Sequence, residues 1–411
     1  MPNFAAYRDT NDALAARVQG DELAIALLQE APVNFVAAEL LMTRMRRWLL
    51  LSERWKLYPE LVAALTTQAS LNNGAWPFDE TEEARLAAAE NAPMRHAYLP
   101  TRSEQPRPIA AISGDPITVA VTAQYEGWPY PPWTRITRPE PVRLADTVRR
   151  LDPSLAPSVP VKAEMLVAGC GSGRHAASVA AHYPDAMVTG IDVSEASLAY
   201  ARRQCAALGI HNVRFLRLDL HAVAELGQQF DAIFCGGVLH HLPDPERGWA
   251  ALTGVLAPYG VMRIMVYSRL GRFKVAAARK FISDLLDKPI TDDLLRQARR
   301  RMLQRSDHPV VAALVERRDF ATLAGTHDLL LHRHEDPFDF VRIGRALDNL
   351  RLRLLSLELP SAEVKQIYEA TYPHDEKHRD IAALAQFERN NIGSFQGNYR
   401  FWCARAVDDA A

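Results

Sequence analysis

Residues 164–173 read Glu164-Met165-Leu166-Val167-Ala168-Gly169-Cys170-Gly171-Ser172-Gly173, an apolar run that breaks into glycine at every second position. A strand ending this way delivers a tight turn with no Cβ atoms in it. A ligand can then lie directly against backbone N–H groups at the start of the next helix. Dinucleotide loops are spaced Gly-x-Gly-x-x-Gly and phosphate-binding loops end in Gly-Lys-Ser/Thr. Gly169, Gly171 and Gly173 instead follow Gly-x-Gly-x-Gly, with neither ending. The stretch reads as a cofactor loop, against the plainer alternative of a tight strand-to-helix turn.

A second strand, Ala186 to Ile191, closes on Asp192. A carboxylate at the end of the strand beside a glycine loop is placed to accept both ribose hydroxyls of an adenosine. Ser194 caps a helix whose Leu198, Ala201, Cys205 and Leu208 share one face. A third strand, Val213 to Leu216, leads into Asp219-Leu220, where an acid can accept from an adenine amino group while its neighbour packs on the ring. The fourth, Phe230 to Cys235, opens into Gly236-Gly237-Val238-Leu239-His240-His241-Leu242-Pro243. Four strand ends converge on one crevice, as ligand sites do in open α/β sheets.

With these motifs in order, the stretch resembles a class I S-adenosylmethionine (SAM)-dependent methyltransferase. The resemblance implies an α/β fold, a doubly wound seven-stranded Rossmann-like sheet, with SAM as cofactor. It matches the glycine loop to Ala168, Gly169, Cys170, Gly171 and Gly173, and the ribose acid to Asp192 beside Val193. The adenine edge falls to Asp219 and Leu220, and the fourth-strand mouth to Gly236 and Gly237. More narrowly, Tyr125-Glu126-x-x-Pro129-Tyr130-Pro131, Asp328-Leu329-Leu330 with His332, and Phe387-Glu388 with Tyr399-x-Phe401-Trp402 resemble a bacterial methyltransferase group often fused to tetratricopeptide repeats. No such repeat is evident in this sequence.

A chain of 411 residues, 48% hydrophobic, can bury a large core and exceeds one ordinary domain. The expected segments are an N-terminal helical domain (1–105), a linker and aromatic lid (106–160), a SAM-binding core (161–268), a mainly helical insertion (269–349) and the end of the core (350–407). Lys and Arg number 48 against 49 Asp and Glu, so no global field favours nucleic acid or a membrane surface. No N-terminal basic region precedes an apolar run, and no stretch suits a bilayer span, so a soluble cytoplasmic protein is expected. Cys170, Cys205, Cys235 and Cys403 lie singly in core-like segments, without metal-ligand spacing, and are expected reduced and buried.

Near the N-terminus, Leu23, Leu27 and Leu28 form one helical stripe, and Val36, Leu40, Leu41, Met45 and Leu49 a second, with Pro32 between them. A third helix is expected over Glu60 to Ser70. Residues Pro100 to Pro116 read as a linker. In the following Gln124 to Trp133, prolines 129, 131 and 132 predict an extended arrangement of four aromatic rings, either plug or lid, with Tyr125 or Tyr130 touching cofactor or acceptor.

Glu246 to Leu256 reads as a helix and Gly260 to Tyr267 as a fifth strand. The next strand would ordinarily follow one helix later, yet Arg269 to Asn349 intervene, well beyond ordinary connection lengths. Within that insertion Phe273 to Leu286 and Asp292 to Leu303 are helical by period. Arg296, Arg299, Arg300, Arg301 and Arg305 read as a solvated face, with RNA or DNA as the alternative acceptor they would suit. In a strand, His332 and His334 would share one face and meet an acceptor; no third ligand at a recognised spacing points to metal. Leu352 to Leu359 and Asn398 to Ala404 read as the closing strands, the last suiting the antiparallel seventh strand of the resemblance.

These features lead to methyl transfer onto an N or O nucleophile of a small molecule or protein, helped mainly by proximity and alignment. Candidate acceptor-side groups are Tyr125, Glu126, Tyr130, His240, His241 and His332. The alternative is a SAM-binding scaffold or regulatory subunit without turnover.

Overall fold

The computed structural model describes residues 4–88, 91–100, 114–127 and 129–406. The chain divides into two compact units. One comprises Met1–Gln105, Pro131–Thr134 and Lys274–His332; the other comprises Pro106–Tyr130, Arg135–Phe273 and Arg333–Ala411. The N-terminal helices and most of the insertion, treated apart in the sequence reading, therefore lie in one unit. The linker expected over Pro100 to Pro116 falls largely outside the described residues, as does Trp128.

The second unit is built on seven strands: β1 (Glu164–Ala168), β2 (Met187–Asp192), β3 (Val213–Arg217), β4 (Phe230–Gly236), β5 (Leu256–Tyr267), β6 (Leu352–Glu358) and β7 (Asn398–Arg405). Their order is β3-β2-β1-β4-β5-β7-β6. Strands β1 to β5 are parallel, and β7 runs antiparallel between β5 and β6. This is the doubly wound, seven-stranded arrangement expected, with β5 starting four residues before the expected Gly260. Met165, Leu166, Val167 and Ala168 are all buried, as a strand covered on both faces requires. Trp249, Phe338, Phe340, Tyr399 and Phe401 share one core with Leu166 and Ala168. Chain order reverses at β1/β4, so the carboxyl ends of these neighbours flank the crevice where open α/β sheets take ligands.

The aromatic segment is not extended throughout. Pro116–Gly127 is a helix, with Asp115 Oδ1 accepting from the N–H groups of Ile117 and Thr118. Tyr125 and Glu126 stand in its last turn. Proline is tolerated in a helix's first turn, as at Pro116, but interrupts a helix that runs into it and disfavours helical backbone one residue earlier, so the prolines from 129 onward end this helix without preventing it.

In the first unit, helices Glu22–Glu30, Val36–Leu51 and Pro59–Leu71 surround a core of Leu28, Met45, Leu49, Leu61, Leu65 and Trp76. The leucine stripes are only half right. Leu23 and Leu27 are exposed, as are Leu40 and Leu41, while Met42, Met45 and Leu49 face inward. The polar residues Glu39 and Arg46 share the inward face. The Arg46 guanidinium lies 3.7 Å from the Tyr98 ring centroid and donates to the carbonyls of Ala97 and Pro77.

The insertion also departs from its periodicity. Phe273–Arg279 gives way to a 3-10 segment, Lys280–Leu285, broken at Ile282. On the Asp292–Leu303 helix, Arg296 and Arg299 are buried rather than solvated. Arg296 donates to the Gly74 carbonyl at 2.8 Å, and Arg299 donates to Glu39 at 2.7 Å beneath the Phe320 ring. His327–Leu331 is a π-helical turn whose Leu329, Leu330 and Leu331 are buried, so the strand that would align His332 with His334 does not form. Among the described residues no helix is long and apolar enough to cross a membrane. All four cysteines are buried and unbridged.

Candidate functional site

The turn after β1 needs glycine for both backbone and space. Gly169, Gly171 and Gly173 have φ of 63°, 52° and 81°, the left-handed region that a Cβ makes costly. A Cβ on Gly169 would stand 2.3 Å from Val238 Cγ2, and one on Gly173 would stand 2.4 Å from the Cβ of Ala201. The Cys170 N–H donates to the Ile191 carbonyl at 2.9 Å, tying the loop to β2. Burial pushes the Cys170 thiol well above its ordinary range, which leaves it a packing group rather than a nucleophile. Gly173 then starts the Arg174–His182 helix.

Asp192, the last residue of β2, closes the other wall. Its Oδ2 accepts the Gly171 N–H at 2.7 Å and its Oδ1 accepts the Ser194 N–H at 2.9 Å. Burial raises its carboxyl from the ordinary aspartate value, opposed by backbone hydrogen bonds from Ser194, Gly171 and Val193. A carboxylate has about four lone-pair positions, so acceptor capacity remains beyond these bonds. Val193 follows, its carbonyl held by Arg217 Nε at 3.1 Å. Asp219 Oδ1 accepts from both the backbone N–H of His221 and its ring Nδ1, which lowers the Asp219 carboxyl and raises the His221 imidazole. Leu220 is buried in the core of the unit. This donor and acceptor set fits an adenosine cofactor: Cβ-free backbone beside a carboxylate with spare acceptor capacity.

The residues after β4 serve as scaffold. Gly237, at φ 79°, donates its N–H to the Met265 carbonyl on β5 at 3.1 Å. His240 is fully buried; its Nδ1 accepts the Tyr267 N–H at 3.2 Å, and its ring stacks on Tyr267 at 3.8 Å. His241 Nδ1 donates to the His334 carbonyl at 2.8 Å. Both rings thus fasten the β4 loop to β5 and to the chain entering β6.

The segment before the core reaches the crevice through backbone contacts. Glu126 accepts the N–H groups of Glu195 at 2.6 Å and Ala196 at 3.3 Å, the first turn of the Glu195–Ala207 helix. An anionic side chain at a helix N-terminus is favourable. The Tyr130 carbonyl accepts the Ser172 N–H at 3.3 Å, and a Cβ on Gly171 would come within 2.9 Å of it. Glu126 and the Tyr130 carbonyl therefore tie this segment to the helix that follows Asp192 and to the glycine loop. Tyr125 belongs to the same helix turn. His332 belongs to the other compact unit, where its carbonyl accepts from Arg279 at 3.2 Å.

His175 was not singled out by sequence. It stands in the first turn after the glycine loop, with its ring edge-on to Phe234 of β4 at 5.6 Å. Its Nδ1 lies 4.0 Å from where a Cβ on Gly236 would be, and Met265 Cβ lies 3.9 Å from the same point. Among the described residues neither ring nitrogen has a hydrogen-bond partner. Burial, then the charge of Arg263, lowers the imidazole to about 4, so it is neutral at physiological pH. Its only sequence signal was position, one residue past the start of a cofactor-loop helix.

Residues 165–260 match the model of the methyltransferase domain family. An uncharacterized protein of Synechococcus sp. is 38% identical over 181 residues, 42% of this chain and 42% of its own length. The trans-aconitate 2-methyltransferase of Deinococcus radiodurans is 34% identical over 127 residues, covering 30% of this chain and 46% of that protein. The chain spans less than half the length of these curated relatives. Among solved structures, PKMT2 from Rickettsia typhi aligns with a TM-score of 0.47 at 16% identity, covering 66% of this chain and 55% of that one. The sheet order with antiparallel β7 is the methyltransferase Rossmann-like fold, and residues 165–260 within it are similar to the methyltransferase domain family.

Proposed function

We propose that this protein transfers the methyl group of SAM to a nitrogen or oxygen nucleophile on a small molecule or protein. The observation that carries the reading is the junction of Asp192 with the Gly171 N–H at the ends of β1 and β2, in a domain matching the methyltransferase family. When bound, SAM supplies an electrophilic methyl group. Asp192 would hold the ribose hydroxyls, Asp219 the adenine edge, and the Gly169–Gly173 backbone the methionine portion. Gly236 and Gly237 leave the β4 side of the crevice without side chains. The strap of Glu126 and Tyr130 would fix the near wall, so that alignment rather than acid chemistry supplies most of the acceleration. This assigns Glu126, His240 and His241 to holding the crevice and leaves Tyr125 and Tyr130 as acceptor-side candidates within the same unit.

Calorimetry with S-adenosylhomocysteine (SAH) tests the cofactor; tight binding of NAD without SAH would refute it. Isotopically labelled SAM incubated with a lysate of the source, separated into protein, nucleic acid and metabolite fractions, tests transfer and the acceptor class. Label in nucleic acid, or in no fraction at all, would count against this reading.

A further inference from the structure

We infer that His175 faces the reacting methyl group and takes the proton of an acceptor hydroxyl. This deepens the methyl-transfer reading and rests on it. Three observations converge. His175 follows the glycine loop by one residue into its helix, and its Nδ1 points toward Gly236, the last residue of β4. The missing side chain at Gly236 leaves a notch bounded by His175 and Met265, at the strand end where open sheets place ligands. Among the described residues neither imidazole nitrogen has a hydrogen-bond partner, whereas the Nδ1 atoms of His240 and His241 are both engaged.

The chemistry selects the acceptor. A neutral amine keeps its protons while it is methylated, and a carboxylate has none to lose. A hydroxyl becomes strongly acidic as its oxygen attacks. The C–O bond forms, the C–S bond of the sulfonium breaks with its electron pair left on sulfur, and the hydroxyl proton passes to the imidazole and then to water. An imidazole with a free ring nitrogen beside the reacting atoms can take that proton, because the attacking oxygen becomes far more acidic as the C–O bond forms.

Sinefungin, which carries an amino group where SAM carries its methyl sulfonium, reads this placement without any acceptor. In the full chain, His175→Ala and His175→Asn should bind SAH within about twofold of wild type, yet lose roughly tenfold or more in sinefungin affinity, the scale of a charged hydrogen bond. Wild-type binding of SAH with sinefungin affinity unchanged in both variants overturns this inference alone. Equal loss of both ligands also overturns it, by making His175 part of the cofactor wall. A wild-type protein that binds neither compound defeats the cofactor reading and this one together. Labelled product recovered only as N-methyl groups or alkali-labile esters would overturn the hydroxyl assignment.

Discussion

The Asp192 carboxylate and the Gly171 backbone are joined directly, Oδ2 accepting the N–H at 2.7 Å, so the acid proposed to hold the ribose also braces the glycine loop. Asparagine offers one acceptor where Asp192 uses two. Asp192→Asn should therefore lower SAH affinity by an order of magnitude or more, each lost charged bond being worth roughly 1.5–3 kcal/mol. Because burial raises this carboxyl, protonation on acidification begins at a higher pH than for an ordinary aspartate. SAH affinity should fall with it, as pH-dependent calorimetry would read; affinity flat through the carboxylate range would contradict the assignment.

Gly169→Ala places a Cβ against Val238 at a positive φ. The expected destabilisation is about 2–4 kcal/mol, combining left-handed strain with overpacking. Adding Val238→Ala should recover the steric part and leave the conformational part. Thermal unfolding of the two variants checks this; no recovery in the double variant would place the cost elsewhere.

Glu126 distinguishes a strap from a base. As a cap on the Glu195–Ala207 helix, Glu126→Ala should lower stability by about 1 kcal/mol and weaken SAH binding, with Glu126→Gln intermediate. Were it a base, turnover would collapse while SAH affinity and melting temperature stayed at wild-type values.

The Asp219–His221 pair carries a pH signature. His221 is raised by its bond to Asp219, so its stabilisation is full below the ordinary histidine value and lost as pH climbs through the raised one. Asp219 is lowered, so its share is present above the ordinary aspartate value and lost as pH falls through the lowered one. The difference in melting temperature between wild type and His221→Asn should thus be greatest in the mildly acidic range and shrink toward alkaline pH. A difference constant from pH 5 to roughly pH 9, well past an ordinary histidine, would show the pair contributes nothing.

In the helical unit, Arg299 and Glu39 are both buried and joined at 2.7 Å. Removing one charge strands the other, so Arg299→Ala should cost about 3–5 kcal/mol, whereas replacing both with methionine should be far better tolerated. Denaturant unfolding separates the two. If instead these arginines served a nucleic acid, single substitution would leave stability intact.

The strand positions, the glycine turn and the placement of Asp192 and Asp219 at neighbouring strand ends were legible in the sequence because each is encoded locally. Unbroken apolar runs mark strands buried on both faces, and glycine at 169, 171 and 173 marks backbone that no other residue adopts cheaply. The helix over Pro116–Gly127 was missed because the later prolines stop a helix that runs into them and do not forbid one that ends before them, while Pro116 itself suits a first turn. What tertiary structure decided depends on residues distant along the chain. Arg299 is buried because Glu39, 260 residues away, meets it; Glu126 is a cap because the Glu195 helix starts beside it, 69 residues on. His175 acquires its setting only when β4 and β5 place Gly236 and Met265 before it. Periodicity records which face of an element is apolar, whereas the pairing of buried polar groups is settled only when separate elements meet, since each must find its donor or acceptor there.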